Sequence, residues 1–311
     1  MSAVDAEPPP SGEPFEIASG AHRAVVTEVG ATLRAYTVDG VDVLDGFGPE
    51  EPSSAGRGQV LAPWPNRLED GRYVFEGVEG RAALDEPERG NAIHGLVRRL
   101  PWTVSLRTDE SVTLDRVLAP QPAYPWRLAL SIRYSVADDG LSVFAVASNR
   151  SDVAAPFGIG FHPYLTVGTP TIDETELTIP AGRRLLTDDR ALPIGGADVA
   201  ATPFDFRVAR TIGSTELDTC FTDLARSGER ATTVDLSRPD GSTSVSLWAD
   251  QKFPYLMIYT GHSLDPPERR RRGLAVEPMT CPPNAFRSGR DLVRLDPGGT
   301  WSGTWGIRRG P

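Results

Sequence analysis

Between Arg127 and Val136 the chain alternates: Leu128, Leu130, Ile132, Tyr134 and Val136 are apolar, and Arg127, Ala129, Ser131, Arg133 and Ser135 between them are small or polar. That period of two is the pattern of a half-buried strand. Asp138-Asp139-Gly140 then turns the chain, and Leu141 to Ala147 is apolar at nearly every position, which predicts a strand covered on both faces. The pair reads as a hairpin. The same logic places strands at Ala24 to Thr27, Leu33 to Thr37, Arg72 to Phe75, Trp102 to Leu106, Thr232 to Leu236, Ser244 to Trp248 and Tyr255 to Tyr259. Gly40, Gly77 and Pro239-Asp240-Gly241 supply turns. The best helix signal is short, Asp115 to Leu118, stopped by Pro120. There is no α/β alternation, no glycine-rich nucleotide-binding motif and no repeat of fixed period. No low-complexity linker divides residues 17 to 311. The pattern therefore predicts one all-β domain, a large antiparallel β-sandwich.

Composition sharpens this picture. The 31 glycines and 28 prolines of the 311 residues are scattered, as many turns between short strands require. Lys and Arg number 32 against 42 Asp and Glu, a net charge of −10 that excludes a generally basic nucleic-acid binder. Hydrophobic residues at 39% suffice for a sizeable core, yet no run approaches the ~18 apolar residues of a membrane-spanning helix. Two cysteines, Cys220 and Cys281, are too few for a disulfide framework and point to a reducing, cytoplasmic setting. Residues 1–16 are acidic, carry Pro8-Pro9-Pro10 and have neither a basic nor an apolar leader segment, so a disordered N-terminal tail is expected there.

Candidate chemistry lies in a few segments. Of four histidines, His22 in an early polar strand and His262 in a turn after Thr260-Gly261 read as surface residues. His94 in Asn91-Ala92-Ile93-His94-Gly95 and His162 in Phe157-Gly158-Ile159-Gly160-Phe161-His162-Pro163-Tyr164 have glycine and aromatic neighbours. Those neighbours permit close approach and apolar stacking of a ligand. Each of the two is either a satisfied structural histidine or a working acid or base. Glu277 is the only charge in Leu274 to Ala285, a proline-stiffened apolar stretch. A carboxylate there is either paired, for instance with an arginine of the run Arg269 to Arg272, or raised in pKa and functional. The arginine run itself reads as a solvated loop, with phosphate binding as the alternative. Pro63-Trp64-Pro65-Asn66-Arg67 presents Asn66 and Arg67 on a rigid aromatic turn, and Leu217 to Asp223 carries Asp218 and Asp223. Polar groups on an aromatic background suit a sugar; a plain Arg67–Asp218 ion pair is the simpler alternative. Cys281 has no basic neighbour and reads as a small apolar filler.

In order, these segments resemble the aldose 1-epimerase (mutarotase) family from about residue 20 to the C-terminus. The likeness rests on Asn66-Arg67 with Asp70-Gly71-Arg72-Tyr73, Asn91 with His94-Gly95, His162-Pro163-Tyr164, Asp218 with Phe221-Thr222-Asp223, and Tyr259-Thr260-Gly261 with Glu277-Pro278 and Ala285. The resemblance implies a galactose mutarotase-like β-sandwich with its site in a groove across one sheet. It implies Glu277 as the general base on the C1 hydroxyl and His162 as the general acid on the ring oxygen. It further implies His94 at the ring oxygen or an adjacent group, and Arg67, Asn66 and Asp218 on hydroxyls. No metal or organic cofactor is implied. Ring opening requires a base and an acid at opposite sides of the hemiacetal carbon, with pKa values near neutrality, and each such group contributes ~10²- to 10⁴-fold. One departure is Met257, which stands where the family commonly has a Gln two positions before the Tyr-Thr pair. A thioether is a poor hydrogen-bond partner, so the sugar preferred is left open.

Four other readings compete. A metal enzyme could use His94, His162 and Glu277 as a two-His, one-carboxylate set, although the three are far apart along the chain. A glycosidase could pair Asp218 with Glu277, leaving both histidines unexplained. A hexose-6-phosphate 1-epimerase would need an arginine-lined pocket, which Arg269 to Arg272 could supply. A non-catalytic sugar-binding module needs no matched acid and base. The expected partner is a small monosaccharide, with no nucleic acid and no membrane, and the expected state is monomer or homodimer.

Overall fold

The structure, a computed structural model, describes residues 9–227 and 231–310. Apart from one helical turn at Ala285–Ser288 and two short 3-10 segments, its regular elements are strands. Nine form an antiparallel sheet in the order Thr103–Arg107, Ser111–Leu118, Leu128–Ala137, Gly140–Asn149, Thr300–Arg309, Ser244–Ala249, Thr232–Ser237, Glu176–Thr178 and Arg210–Thr211. A second sheet runs Pro193–Asp198, Ala181–Thr187, Asp218–Leu224, Tyr255–Tyr259, Leu274–Met279, Gly160–Phe161 and Val60–Leu61, with Tyr164–Leu165 also paired to Leu274–Met279. The N-terminal part adds a four-stranded sheet from Pro14–Ser19, His22–Thr27, Thr32–Val38 and Val41–Asp42. No helix among the described residues is long and apolar enough to cross a membrane.

The two large sheets meet through aromatic side chains. Phe161 of the second sheet lies 5.1 Å from Trp305 and 6.2 Å from Phe253, and Phe157 lies 5.5 Å from Trp301. These belong to one continuous buried cluster with Leu247, Leu256, Ile258, Val276 and Ile307. Strand periodicity then decides which residues reach the other face of the second sheet. Leu256 and Ile258 point into the core, so Tyr255, Met257 and Tyr259 point away from it. In the neighbouring strand Val276 points in, and Ala275, Glu277 and Met279 point out. Every residue of Leu274–Met279 is nevertheless buried, because loops cover the outer face as well.

Several sequence expectations meet a different outcome. Asp115–Leu118 is not helical but the end of the strand Ser111–Leu118, paired along its length with Leu128–Ala137; ladder pairing and the buried Val112 and Leu114 prevail over a four-residue helix signal. Leu141 to Ala147 is covered on one face only. Phe144 is 44% exposed because it lies on the solvent side of the nine-stranded sheet. The expected tail boundary at residue 17 cuts a strand, since Pro14–Ser19 pairs with His22–Thr27 and Ser11 is buried; residues 1–8 lie outside the described residues. His22 is buried rather than on the surface, its Nδ1 2.7 Å from the Tyr36 hydroxyl.

The inward and outward assignments of the nine-stranded sheet are testable as a pair. Trp305, 1% exposed, truncated to Ala is expected to cost about 3–5 kcal/mol in urea unfolding. Phe144→Ala is expected to stay within about 1 kcal/mol; equal losses would mean that the faces are misassigned.

Candidate active site

The outer face of the second sheet carries two cross-strand rows. One row is Asp218, Tyr259, Ala275 and Tyr164; the next is Cys220, Met257 and Glu277. Above them the turns around Gly56, Asn66 and His94 and the segment His262 to Leu264 wall off a cleft of about 450 Å³, of a size that admits a small ligand. Glu277, His162, His94, Arg67, Asn66 and Asp218 all line it. The fold thus gathers these six residues, from positions 66 to 277, into one place.

At its centre His162 Nε2 lies 3.3 Å from Glu277 Oε1, with the two side chains 6% and 3% exposed. Neither His162 Nδ1 nor Glu277 Oε2 has a partner within the protein. Buried polar atoms are normally satisfied, so these two stand out among the described residues. Burial raises the Glu277 carboxyl well above its ordinary value; nearby Asp218 pushes the same way and Arg67 opposes. Met257, directly across the strand pair, belongs with Leu185, Cys220, Tyr255 and Met279 to an apolar cluster that closes this side of the carboxyl with hydrocarbon. Burial also pushes the His162 imidazole down to about 3, aided by the Arg57 guanidinium. Burial thus works against the charged form of each member of the pair.

His94 stands edge-on to His162, ring centres 5.3 Å apart. Burial, with His162 and Arg98 adding to it, holds its imidazole well below the ordinary value, so the ring is neutral. The backbone N–H of Asn66 donates to His94 Nδ1 at 3.3 Å, and the N–H of His94 donates to the Asn66 carbonyl at 2.9 Å. With Nδ1 an acceptor, the ring proton sits on Nε2, a fixed donor. Asn66 achieves this with φ +56°, in the left-handed region that Asn tolerates better than most residues, and its Oδ1 accepts the N–H of Arg67. Its side-chain oxygen thus serves the turn rather than a ligand.

Arg67 is held by Glu86, Nε to both carboxylate oxygens at 3.0 and 3.1 Å, and reaches Asp218 at 3.6 Å. The ion pair with Asp218 read as the simpler alternative is present, but it lies inside the cleft. Burial alone would weaken the guanidinium's hold on its proton; Asp218 and Glu86 more than offset that. Glu86 in turn accepts from Asn91 Nδ2 and Arg89, and Arg190 reaches across to the Gly90 carbonyl and Asp70. Nothing in the segment around Glu86 marks it out in the sequence, because its partner lies 19 residues away in a different turn. His262, read as a surface residue, lines the cleft instead, its ring 5.4 Å from Tyr259 and its Nδ1 3.0 Å from Thr260 Oγ1.

Other expectations part from the structure. Trp64 is turned into the core against Phe286, and Asp223 is exposed beside Gly182, away from the cleft. The run Arg269 to Arg272 is a solvated loop only in part, with Arg270 and Arg272 exposed and Arg269 and Arg271 half-buried. Arg269 pairs with Glu51 at 2.8 Å and Asp45 at 3.5 Å, Arg270 donates to the Leu264 carbonyl, and Arg271 is tied to Asp173 and the Gly213 carbonyl. Arg269 and Arg272 line a separate hollow with Asp45, so this run supplies no phosphate pocket to the cleft and no partner to Glu277. Cys281 is buried with its thiol pushed up to about 12 by burial, as suits a filler.

The ligand atoms of His94, His162 and Glu277 all lie within 4.8 Å of one another, so distance along the chain does not count against a metal set. The tautomer does. A His94 with its proton on Nε2 and its Nδ1 lone pair engaged by Asn66 has no lone pair for a cation.

The family model described as aldose 1-epimerase matches residues 14–308. The chain belongs to the aldose 1-epimerase family. Among its relatives, the uncharacterized protein YihR of Escherichia coli K12 is 38% identical over 289 residues, covering 93% of this chain and 90% of that one. A galactose mutarotase of Sus scrofa is 26% identical over 82% of this chain and 80% of its own length. An aldose epimerase homologue from C. elegans has the same fold, with a TM-score of 0.85 at 20% identity over 96% of this chain and 98% of that one.

The anchoring of Arg67 by Glu86 in this aldose epimerase family member gives a prediction with a sign. Glu86 is held below the ordinary carboxylate value because Arg67, Asn91 and Arg89 outweigh the opposing effect of burial. Its contribution is therefore fully present above the unfolded-state value of about 4.3 and is lost as pH falls through the lower folded value. Glu86→Gln is expected to cost about 3 kcal/mol in denaturant unfolding at pH 7, with the gap to the wild type closing as pH falls below 4.3. A gap independent of pH would show that the Arg67 pairing is not its source.

Proposed function

We propose that this protein is an aldose 1-epimerase that interconverts the α and β anomers of a free aldose, with Glu277 as base and His162 as acid. The observation that carries the reading is the buried Glu277–His162 pair at 3.3 Å, each member keeping one unpartnered atom, in a cleft of monosaccharide size. A cyclic aldose has two oxygens on its anomeric carbon. Opening the ring takes a proton from the hydroxyl oxygen and gives one to the ring oxygen. Because both oxygens share one carbon, their acid and base must be neighbours. Adjacency, rather than the opposite placement expected from the sequence, therefore suits the reaction.

The proton inventory fits as well. One proton resides in the pair and rests on Glu277, since burial raises the carboxyl and lowers the imidazole. Its passage to His162 yields the reactive form, a carboxylate to receive the hydroxyl proton and an imidazolium to supply the ring oxygen. Arg67 favours that form by pulling Glu277 toward the carboxylate. The fixed His94 Nε2–H donates to the ring oxygen or its neighbour, and Arg67 and Asp218 hold hydroxyls further round the ring. After rotation about C1–C2 the ring recloses on the other face with each group still at its own oxygen. A binding module gains nothing from burying an ionisable pair with unmet hydrogen bonds. The galactose mutarotase relative makes galactose the first sugar to try, with glucose beside it as a second common aldohexose, and a cytoplasmic monomer or homodimer is the expected form.

The test is polarimetry on freshly dissolved α-D-glucose and α-D-galactose with EDTA-treated protein. The wild type is expected to accelerate relaxation, and Glu277→Gln and His162→Ala are each expected to lose about 10²-fold or more. No acceleration of these or of glucose 6-phosphate, with sugar binding retained, would transfer the protein to the binding class. After subtraction of the uncatalysed rate, kcat/KM is expected to be flat through neutral pH. It should fall in acid only near the lowered value of His162, where the pair takes a second proton, and in alkali as Glu277 gives up its own. An inflection at the ordinary histidine value of about 6.5 would contradict this proton inventory.

A further inference from the structure

Behind the acid lies a layer that the reaction itself does not use. The His162 ring stacks on Tyr164, ring centres 5.0 Å apart and planes 9° from parallel. The guanidinium of Arg57 lies over that same Tyr164 ring, 4.7 Å from its centre. Arg57 is 2% exposed, among the most deeply buried side chains of its size, and donates to Asp45 at 3.2 Å and to Ser54 Oγ at 3.1 Å. Asp45 is itself buried, and its backbone N–H donates to the Tyr164 carbonyl at 2.9 Å. The turn that carries Arg57 grips His162 directly. The N–H of Gly58 donates to the His162 carbonyl, the N–H of His162 donates to the Gln59 carbonyl, and the Tyr164 hydroxyl donates to the Ala55 carbonyl. Gly56, at φ +72°, lies so close that a Cβ there would sit 2.5 Å from His162 Cδ2.

We propose that Arg57, fixed by Asp45 and stacked on Tyr164, is a positioning residue for His162: it holds the imidazole plane from behind and sets a permanent positive charge beside it. A buried arginine is an expensive way to fill space, and a planar, always-charged group suits a stack in a way that an ammonium does not. The charge acts against protonation of His162, so the imidazolium formed during turnover is a strong acid. The ring oxygen that must accept its proton is a weak base. The other groups facing His162 are Glu277, His94, Tyr164 and Arg98, and all remain in the variants below. Asp45 keeps partners when Arg57 is removed, since Arg269 and Arg272 lie 3.5 and 3.7 Å from it.

The inference rests on the mutarotase reading, and the experiment separates the two. In Arg57→Met the acid limb of kcat/KM is expected to move to higher pH and kcat to fall about tenfold or more, with KM within about twofold because Arg57 does not reach the cleft. The ¹⁵N signals of His162, identified by their loss in His162→Gln, should show the same upward move of the titration midpoint without any turnover. Arg57→Lys, which keeps the charge but not the plane, should leave the midpoint near the wild type while kcat still falls. This variant carries the test alone if Arg57→Met fails to fold: unchanged kcat, or a KM rise accounting for the loss, would overturn the inference. An unmoved midpoint in folded Arg57→Met would overturn it as well. A midpoint that moves in a protein inactive on every aldose would instead sink the mutarotase reading and leave the placement of Arg57 standing.

Discussion

A carboxyl and an imidazole 3.3 Å apart, both almost without water, set the terms for everything around them. Taking an ionisable group out of water costs several kcal/mol unless it is neutral or paired, and here the two buried groups are placed as each other's partner. That requires both faces of the strand Leu274–Met279 to be covered. The inner face lies on the aromatic core between the large sheets, and the outer face lies under turns drawn from residues 54–67, 91–99 and 259–264. Strand periodicity alone then delivers Glu277 to the cleft and Val276 to the core.

The loops that do the covering cannot be floppy, and charged contacts hold them. On one side Arg67, Glu86, Asn91 and Arg190 form a chain of partners that runs from the cleft to the exposed Asp70. On the other side Arg57, Asp45, Arg269 and Glu51 do the same. Each chain starts with an arginine near the Glu277–His162 pair and ends where water can solvate the last charge. Single buried charges are thereby avoided, and the turns are fixed to the sheet by bonds that Gly and Asn residues at positive φ allow to be short.

Much of this was legible in the sequence, for a reason particular to β-proteins. Alternation from Leu128 to Val136 reports one buried face directly, and the hairpin through Asp138-Asp139-Gly140 is found where it was read. Alternation does not report what lies over the other face, so Leu141 to Ala147 was read as doubly covered and Phe144 turned out exposed. The residues that line the cleft were legible because they fall in the short motifs that carry the family resemblance. Glu86 and Arg57 were not, since each acts through a partner that only the fold brings near. The arginine run 269–272 misled for the same reason: its partners, Glu51 and Asp173, are more than 90 residues away.

On the proposed mutarotase reading, the two buried arginines account for a pair that is reactive rather than merely neutral. Arg67 lies near Glu277 and makes its carboxylate form easier to reach; Arg57 lies near His162 and makes its imidazolium harder to keep. Both weaken the pair's hold on its single proton. A pair that held the proton firmly would sit in the resting form, with a protonated carboxyl unable to receive the anomeric hydroxyl's proton. A pair that lost it would have no acid to offer the ring oxygen. Cations placed on both flanks, with Asp218 and Asp45 keeping each of them paired, hold the proton between those failures.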